Sequence, residues 1–335
     1  MAEFERTRVI SGFRPTNEAT IGHYVGAIKP SLEIQEDPKN DLYLFVADIH
    51  GITDKDPRDV VEYRHDIVKD CMALGIDAER TNIYMQSDVE TSIVPIANRI
   101  APYVNVGELS RIPTLKEMMR ASLRKGEDVN QANLAMLSYP ALMAADIYAQ
   151  EATVVAAGED QAPNVELTRK IARKFNREFG VSVLVEPQLL SINALRILSL
   201  DGKSKMTPSN PAQAILLSDD PERAKAKIQS STTAQSGEWS AVIESHFRVA
   251  ETTTDDEATL DELRRLKVAH IAGKAVMGDF KRTWSELTAQ FLDSFQAERQ
   301  KINDEDVQGA LRYNADTAER NAEKMLRNIK SATGF

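Results

Sequence analysis

Ile10-Ser-Gly-Phe-Arg-Pro-Thr-Asn-Glu-Ala-Thr-Ile-Gly-His-Tyr-Val-Gly26 reads as a short apolar strand, a loop punctuated by Gly, Pro and Asn, and the start of a helix. That order is a phosphate-binding layout. The N-terminus of a helix presents backbone N–H groups without partners and the positive end of a dipole, and Gly22 lets an anion approach the backbone where a Cβ would obstruct it. His23 adds a donor for the same anion. Spacing alone leaves a plainer reading open, because strand-loop-helix units with one Gly and one His are common.

The rest of the first half sets the fold class. Continuous apolar or β-branched runs at 8–11, 42–47, 82–86 and 153–157 predict strands buried on both faces, with amphipathic helices between them. Residues 57–74 carry Val60, Val61, Ile67, Val68, Met72 and Leu74 at helical spacing and stop at Gly75, a C-terminal cap. This alternation predicts an α/β fold with a Rossmann-like doubly wound parallel sheet, whose ligands collect beyond the carboxyl ends of the strands. Two polar clusters follow strands: Asp48-Ile-His50, and Gly158-Glu-Asp-Gln161, which opens a helix around 165–175. Such groups suit ribose hydroxyls or a substrate amino group, although Glu159 and Asp160 equally suit capping of that helix. Asp146 stands alone among Met143, Ala144, Ala145 and Ile147. Burying it is costly unless it pairs with a polar group on an apolar ligand, and otherwise it faces water.

Composition limits the classes. With 335 residues, 42% of them hydrophobic, and no apolar run approaching the ~18 residues of a membrane span, the chain reads as soluble, with two packed regions. The start lacks the pattern of a secretory signal, and the one cysteine, Cys71, forms no internal disulfide, so the expected compartment is the cytoplasm. A lone Cys with His23, His50, His65, His246 and His270 scattered along the chain predicts no structural metal site. A net charge of −10 argues against a general nucleic-acid coat protein but leaves room for a local basic surface that binds RNA. Residues 229–240 and the acidic run from Glu251 read as a linker region. Beyond residue 212 the pattern predicts helices at 221–228, 260–271, 274–297 and 304–329. Arg312, Arg320, Lys324, Arg327 and Lys330 cluster toward the end of the last of these and suit either nucleic-acid phosphates or a solvated face.

Five motifs in order carry a family resemblance. The chain resembles the tryptophanyl-tRNA synthetases, a family of class I aminoacyl-tRNA synthetases. Thr20-Ile-Gly-His23 is similar to the first class signature and is preceded by a Ser-Gly-x-x-Pro-Thr approach. Val46-Ala-Asp-Ile-His50, the stretch 106–117, Ser138-Tyr-Pro-Ala-Leu-Met-Ala-Ala-Asp-Ile147 and the stretch 158–169 continue it. The resemblance runs from about residue 8 to Phe335.

The resemblance implies ATP-dependent activation of L-tryptophan to tryptophanyl-adenylate, then transfer to tRNA(Trp). It implies catalytic roles for Thr20, Gly22, His23 and Lys205, and an ATP site that also draws on Gly12, Arg14, Gly158, Asp160, Ile197, Met206 and Ser209. Gly12 would leave room for the nucleotide. Mg²⁺ is expected with ATP, held mainly by phosphate oxygens, with no protein ligand named. Asp146 would accept the indole N–H between Met143 and Val155 as apolar walls, while Tyr139 and Gln161 hold the polar end of the amino acid. The implied layout is a Rossmann-type catalytic domain over 1–200 that includes a homodimer interface, a mobile loop over 201–215, and a C-terminal α-helical domain over 216–335 that reads the anticodon.

Two stretches depart from the family. The second class signature, Lys-Met-Ser-Lys-Ser, is Lys205-Met-Thr-Pro-Ser209 here, so Pro208 replaces a lysine that faces the triphosphate. Losing one charge-assisted contact in a transition state costs about 3 kcal/mol, roughly 10²-fold in rate. Lys203, Lys205 and Arg14 are candidate substitutes. Asn17 stands where Gly is usual, and Asn tolerates positive φ better than most residues. The departures keep an alternative in view: a specialised paralogue that binds tryptophan or ATP with weak activation, in a regulatory or inhibitor-resistance role. Ala144-Ala-Asp-Ile147 argues against a tyrosine-specific relative, and the absence of Gly-x-Gly-x-x-Gly after the first strand argues against a nicotinamide oxidoreductase.

Overall fold

The computed structural model of the protein describes residues 6–15, 17–122, 133–193 and 197–335; Thr16 of the opening loop lies outside them. Five parallel strands form one sheet in the order β3-β2-β1-β4-β5: β1 Thr7–Phe13, β2 Asn40–Val46, β3 Thr81–Met85, β4 Val154–Gly158 and β5 Gln188–Asn193. This is the doubly wound arrangement. The four expected strands are present, and β5 is an addition. Its sequence is polar at both ends and it sits at an edge, with Leu190 exposed, so it lacks the apolar run that marks an interior strand.

Alternation along β2 separates two cores. Leu44 and Val46 join a cluster with Ile21 and Ile28 on one face, whereas Tyr43 and Phe45 join Tyr84, Ile93 and Tyr148 on the other. The helix after β1, α1, is continuous from Ile21–His23 through a π-helical turn, Tyr24–Ile28, into Lys29–Glu36. Then come α2 Asp48–Gly51, α3 Pro57–Ala73, α4 Glu90–Ile100, α5 Val106–Leu109, α6 Pro113–Ser122, α7 Leu134–Ala149 and α8 Ala162–Phe179. As expected, α3 stops before Gly75, which has φ +107°.

The C-terminal part is helical: α9 Pro221–Ser230, α10 Ala241–Thr252, α11 Glu257–Ile271, α12 Met277–Lys301 and α13 Asp304–Thr333. Here α10 is unforeseen. Ile243, Phe247 and Ala250 give it a buried helical face, but the polar flanks on both sides make it read as linker. The stretch 231–240 joins two helices of one cluster, with Trp239 packed 5.4 Å from Phe247 and Lys267 over its ring at 5.0 Å. Packing runs across residue 216: Phe247, Phe280 and Trp284 share a cluster with Leu44 and Val68. The last helix returns to the sheet and buries Ala318, Ala322, Met325 and Ile329 against the face that contains Tyr43 and Tyr84.

Candidate active site

The strand order reverses at β1, whose neighbours are β2 and β4, and the crevice beyond their carboxyl ends is where a doubly wound sheet takes a ligand. The loops after β1, β2, β3 and β4 line it. On the β1 side, Thr20 is fully buried and caps α1. The Nδ1 of His23 accepts from Thr20 N–H at 3.0 Å, with Thr20 Oγ1 also at 3.0 Å. An N–H can only donate, so a neutral His23 carries its proton on Nε2 and offers that N–H as a donor. Burial, with the Lys205 cation nearby, lowers the His23 pKa to about 4, which keeps the ring neutral at neutral pH.

The expected second loop is fastened to this element. Met206 N–H donates to Ile197 O at 2.9 Å, Leu198 bridges Lys205, and Thr20 bridges Leu216. A Cβ on Gly22 would lie 3.6 Å from both Ile197 and Met206, so these three residues form one surface. Lys205 and Ser209 are exposed, and Lys203 lies 3.6 Å from the carboxylate of Asp201. The room expected beside Gly12 is taken by Phe45: a Cβ there would stand 2.7 Å from the ring. The missing side chain at Gly12 thus accommodates strand packing, and only its main chain is left for a ligand.

Beyond β2, β3 and α7 lies a closed polar triad. Asp146 on α7, His50 on α2 and Gln86 just after β3 are each at most 3% exposed. Gln86 Nε2 donates to Asp146 Oδ1 and Oδ2 at 2.9 and 2.8 Å, and His50 Nε2 lies 3.0 Å from Oδ2. The main-chain N–H of His50 donates to Gln86 Oε1 at 3.0 Å, which fixes the amide orientation. Burial pushes the Asp146 carboxyl up, and the bonds from His50 and Gln86 oppose it. Tyr139 covers His50 with ring centroids 4.1 Å apart, Met143 is half-buried, and Val155 is buried.

The sequence model of tRNA synthetases class I (W and Y) matches residues 3–293. The chain belongs to this family. It is 31% identical over 342 aligned positions to a tryptophan–tRNA ligase of Treponema pallidum (strain Nichols), with 98% of this chain and 97% of that one covered. Its fold is similar to a crystal structure of tryptophanyl-tRNA synthetase from Mycoplasma pneumoniae, with TM-score 0.85, 26% identity and 98% of each chain covered. It is also similar to the tryptophanyl-tRNA synthetase of Campylobacter jejuni complexed with ADP and tryptophan. There the TM-score is 0.79 and the identity 25%, over 98% of this chain and 100% of that one.

Other expected residues of this family member sit as follows. Arg14 forms a partly buried ion pair with Asp54, and its Nε is buried without a partner among the described residues. Gly158 ends β4, and Asp160 and Gln161 lie on the 3₁₀ turn Glu159–Gln161. The N-cap of α8 is Gln161, without a side-chain capping bond, so neither Glu159 nor Asp160 caps that helix. Gln161 donates to Asp160 Oδ2 at 2.9 Å and accepts from Asn164 at 2.8 Å. Asp48 turns away from the expected ligand role. Its carboxylate accepts from Ser87 N–H at 3.0 Å and Ser87 Oγ at 2.6 Å and so ties the β2 and β3 loops together. Gln86 is the residue sequence reasoning missed, since it reads as the last residue of the strand 82–86. Its place at a strand's carboxyl end was the available signal. Among the described residues no group of three or more His, Cys, Asp or Glu side chains is placed to hold a metal ion, and no helix is long and apolar enough to cross a membrane.

Proposed function

We propose that the chain is a tryptophan–tRNA ligase. The reaction joins the carboxylate of L-tryptophan to the α-phosphorus of ATP: a carboxylate oxygen–phosphorus bond forms and the bond to pyrophosphate breaks. A terminal hydroxyl of tRNA(Trp) then attacks the acyl carbon and AMP leaves. ATP enters as its Mg²⁺ complex, the ion held by phosphate oxygens. The protein contributes position and charge stabilisation rather than covalent chemistry. In this reading Thr20, Gly22 and the Nε2–H of His23 receive phosphate oxygens at the start of α1, and Lys205 adds a cation. Gly12, Arg14, Gly158, Asp160, Ile197, Met206 and Ser209 complete the nucleotide side. Tyr139 and Gln161 hold the polar end of tryptophan, and Met143, Val155 and Asp146 receive the indole.

The observation that carries this reading is Asp146, a carboxylate enclosed beside apolar residues at the mouth of the sheet and held by two donors, where a ligand N–H completes its partners. The reading also includes a homodimer, a cytoplasmic location, a mobile loop over 201–215, and helices from 216 onward that read the anticodon. The basic residues of α13 argue for single phosphate contacts at most: Lys324 is paired with Glu151 at 2.9 Å and Arg327 with Glu323 at 3.3 Å.

Pro208 and the Arg14–Asp54 pair favour a second reading, a paralogue that binds tryptophan but activates it weakly. Amino-acid-dependent ATP–pyrophosphate exchange with tryptophan, tyrosine and phenylalanine separates the two. Exchange with tryptophan alone supports the ligase. Tyrosine-selective exchange overturns the assignment of Asp146, and tryptophan binding without exchange favours the paralogue.

A further inference from the structure

A carboxylate offers about four lone-pair positions, and three contacts already reach Asp146: Gln86 Nε2 to Oδ1 and Oδ2, and His50 Nε2 to Oδ2. Among the described residues one acceptor position remains, on Oδ1. Neither donor is free to drift. The Gln86 amide cannot flip without losing the His50 N–H bond at 3.0 Å, and His50 is packed under Tyr139. His50 Nδ1 is buried without a partner among the described residues, so the hydrogen bond this ring makes is the one at Nε2. All three residues come from different elements, α2, the turn after β3, and α7, so the arrangement exists only in the folded chain.

We propose that Gln86 and His50 are positioning residues that determine specificity: they clamp the Asp146 carboxylate so that its one remaining acceptor position reads a heteroaromatic N–H. The inference rests on the reading that Asp146 receives the indole. A carboxylate without these donors would rotate about its Cβ–Cγ bond and present any of its lone pairs. The clamp removes that freedom before the ligand arrives, so that a ligand lacking the N–H leaves a desolvated acceptor unsatisfied. Selectivity then depends on two side chains that touch no substrate.

The test compares kcat/KM in pyrophosphate exchange for tryptophan with that for 3-(benzothiophen-3-yl)alanine, in which sulfur replaces the N–H at nearly the same shape. Wild type, Gln86→Met, His50→Phe and the donor-retaining His50→Gln are measured, with ATP KM and thermal stability alongside. The expected result is a tryptophan-to-analogue ratio that falls by about 10²-fold in Q86M and H50F, stays near wild type in H50Q, and leaves ATP KM unchanged. Equal losses for both amino acids would show a merely structural role and overturn the proposal. A wild-type ratio near one would instead overturn the assignment of Asp146 itself, and no wild-type exchange at all would overturn the ligase reading. Should Q86M fail to fold, the contrast between H50F and H50Q decides alone.

Discussion

Thr20 and Leu216 face each other across an isolated antiparallel bridge, with Ile21 N–H donating to Ile215 O and Leu217 N–H donating to Ala19 O, both at 2.9 Å. The start of α1 is therefore held by a segment almost two hundred residues further along the chain. That segment is itself anchored from the helical side. Lys227 on α9 donates to Ala214 O at 2.9 Å and to both oxygens of Asp219, and Gln296 on α12 donates to Leu217 O and Asp219 O.

Lys227 and Asp219 are both buried, and removing Lys227 leaves the Asp219 carboxylate with only the exposed Arg223, 3.8 Å away, as an ion-pair partner. Lys227→Met is expected to destabilise the chain by about 3–5 kcal/mol, read as a lower denaturation midpoint. The double variant D219N/K227M should recover most of this, because Asn keeps an acceptor for Leu216 N–H, which now donates to Asp219 at 2.8 Å. A double variant no more stable than K227M would count against the pair as the anchor.

Acid should weaken the fold through two imidazoles. Burial, with Lys205 near His23 and Lys281 near His246, lowers both pKa values from 6.5 to about 4. Between those pH values the unfolded chain binds more protons than the folded one, so this contribution is complete above about pH 6.5 and is lost as pH falls toward about 4. Asp70 and Asp146, whose carboxyls burial pushes up from the usual 3.8, act in the opposite sense as pH falls through their raised values toward 3.8. His246 packs 4.7 Å from Trp284, so His246→Phe keeps an aromatic ring there. It should flatten the fall in Tm between pH 6.5 and 4.5; an unchanged slope would remove His246 from the explanation.

Asp54 competes with any anionic ligand for Arg14. In pyrophosphate exchange, Asp54→Asn is expected to lower the KM for ATP several-fold, and Arg14→Gln to raise it by about 10-fold, or about 1.4 kcal/mol. If D54N raised KM, Asp54 would instead be orienting Arg14 toward the nucleotide.

Gly12 and Gly22 of the opening stretch should respond oppositely. An alanine at Gly12 drives a methyl to 2.7 Å from the Phe45 ring, and overpacking of this kind costs about 1–3 kcal/mol. Phe45→Leu in the same chain should restore part of the midpoint. At Gly22 the nearest atom to an added Cβ is Thr20 Oγ1 at 3.2 Å, with the rest at 3.6 Å. Gly22→Ala should therefore leave Tm nearly unchanged and raise the KM for ATP. A large loss of Tm in G22A would contradict this division.

Much of the first half was legible in sequence because a strand buried on both faces must be apolar, which makes β1, β2, β3 and β4 stand out as runs. β5 escaped because, unlike the other edge strand β3, it leaves Gln188, Leu190 and Ser191 exposed, and α10 because its helical face lies between polar flanks. Thr20, Gly22, His23 and Asp146 were legible as residue types in unusual company. What they bond to was not.

The sequence by itself determined the alternation of the first four strands with helices, the loop at the start of α1, and the presence of a carboxylate in an apolar stretch, since these depend on local periodicity and local chemistry. Only the tertiary structure decided that Gly12 faces Phe45, that Asp48 serves Ser87, and that Gln86 and His50 close on Asp146. Those outcomes join residues from separate elements. No spacing along the chain encodes them, because they arise when the sheet sets the elements side by side and burial obliges each polar group to find a partner.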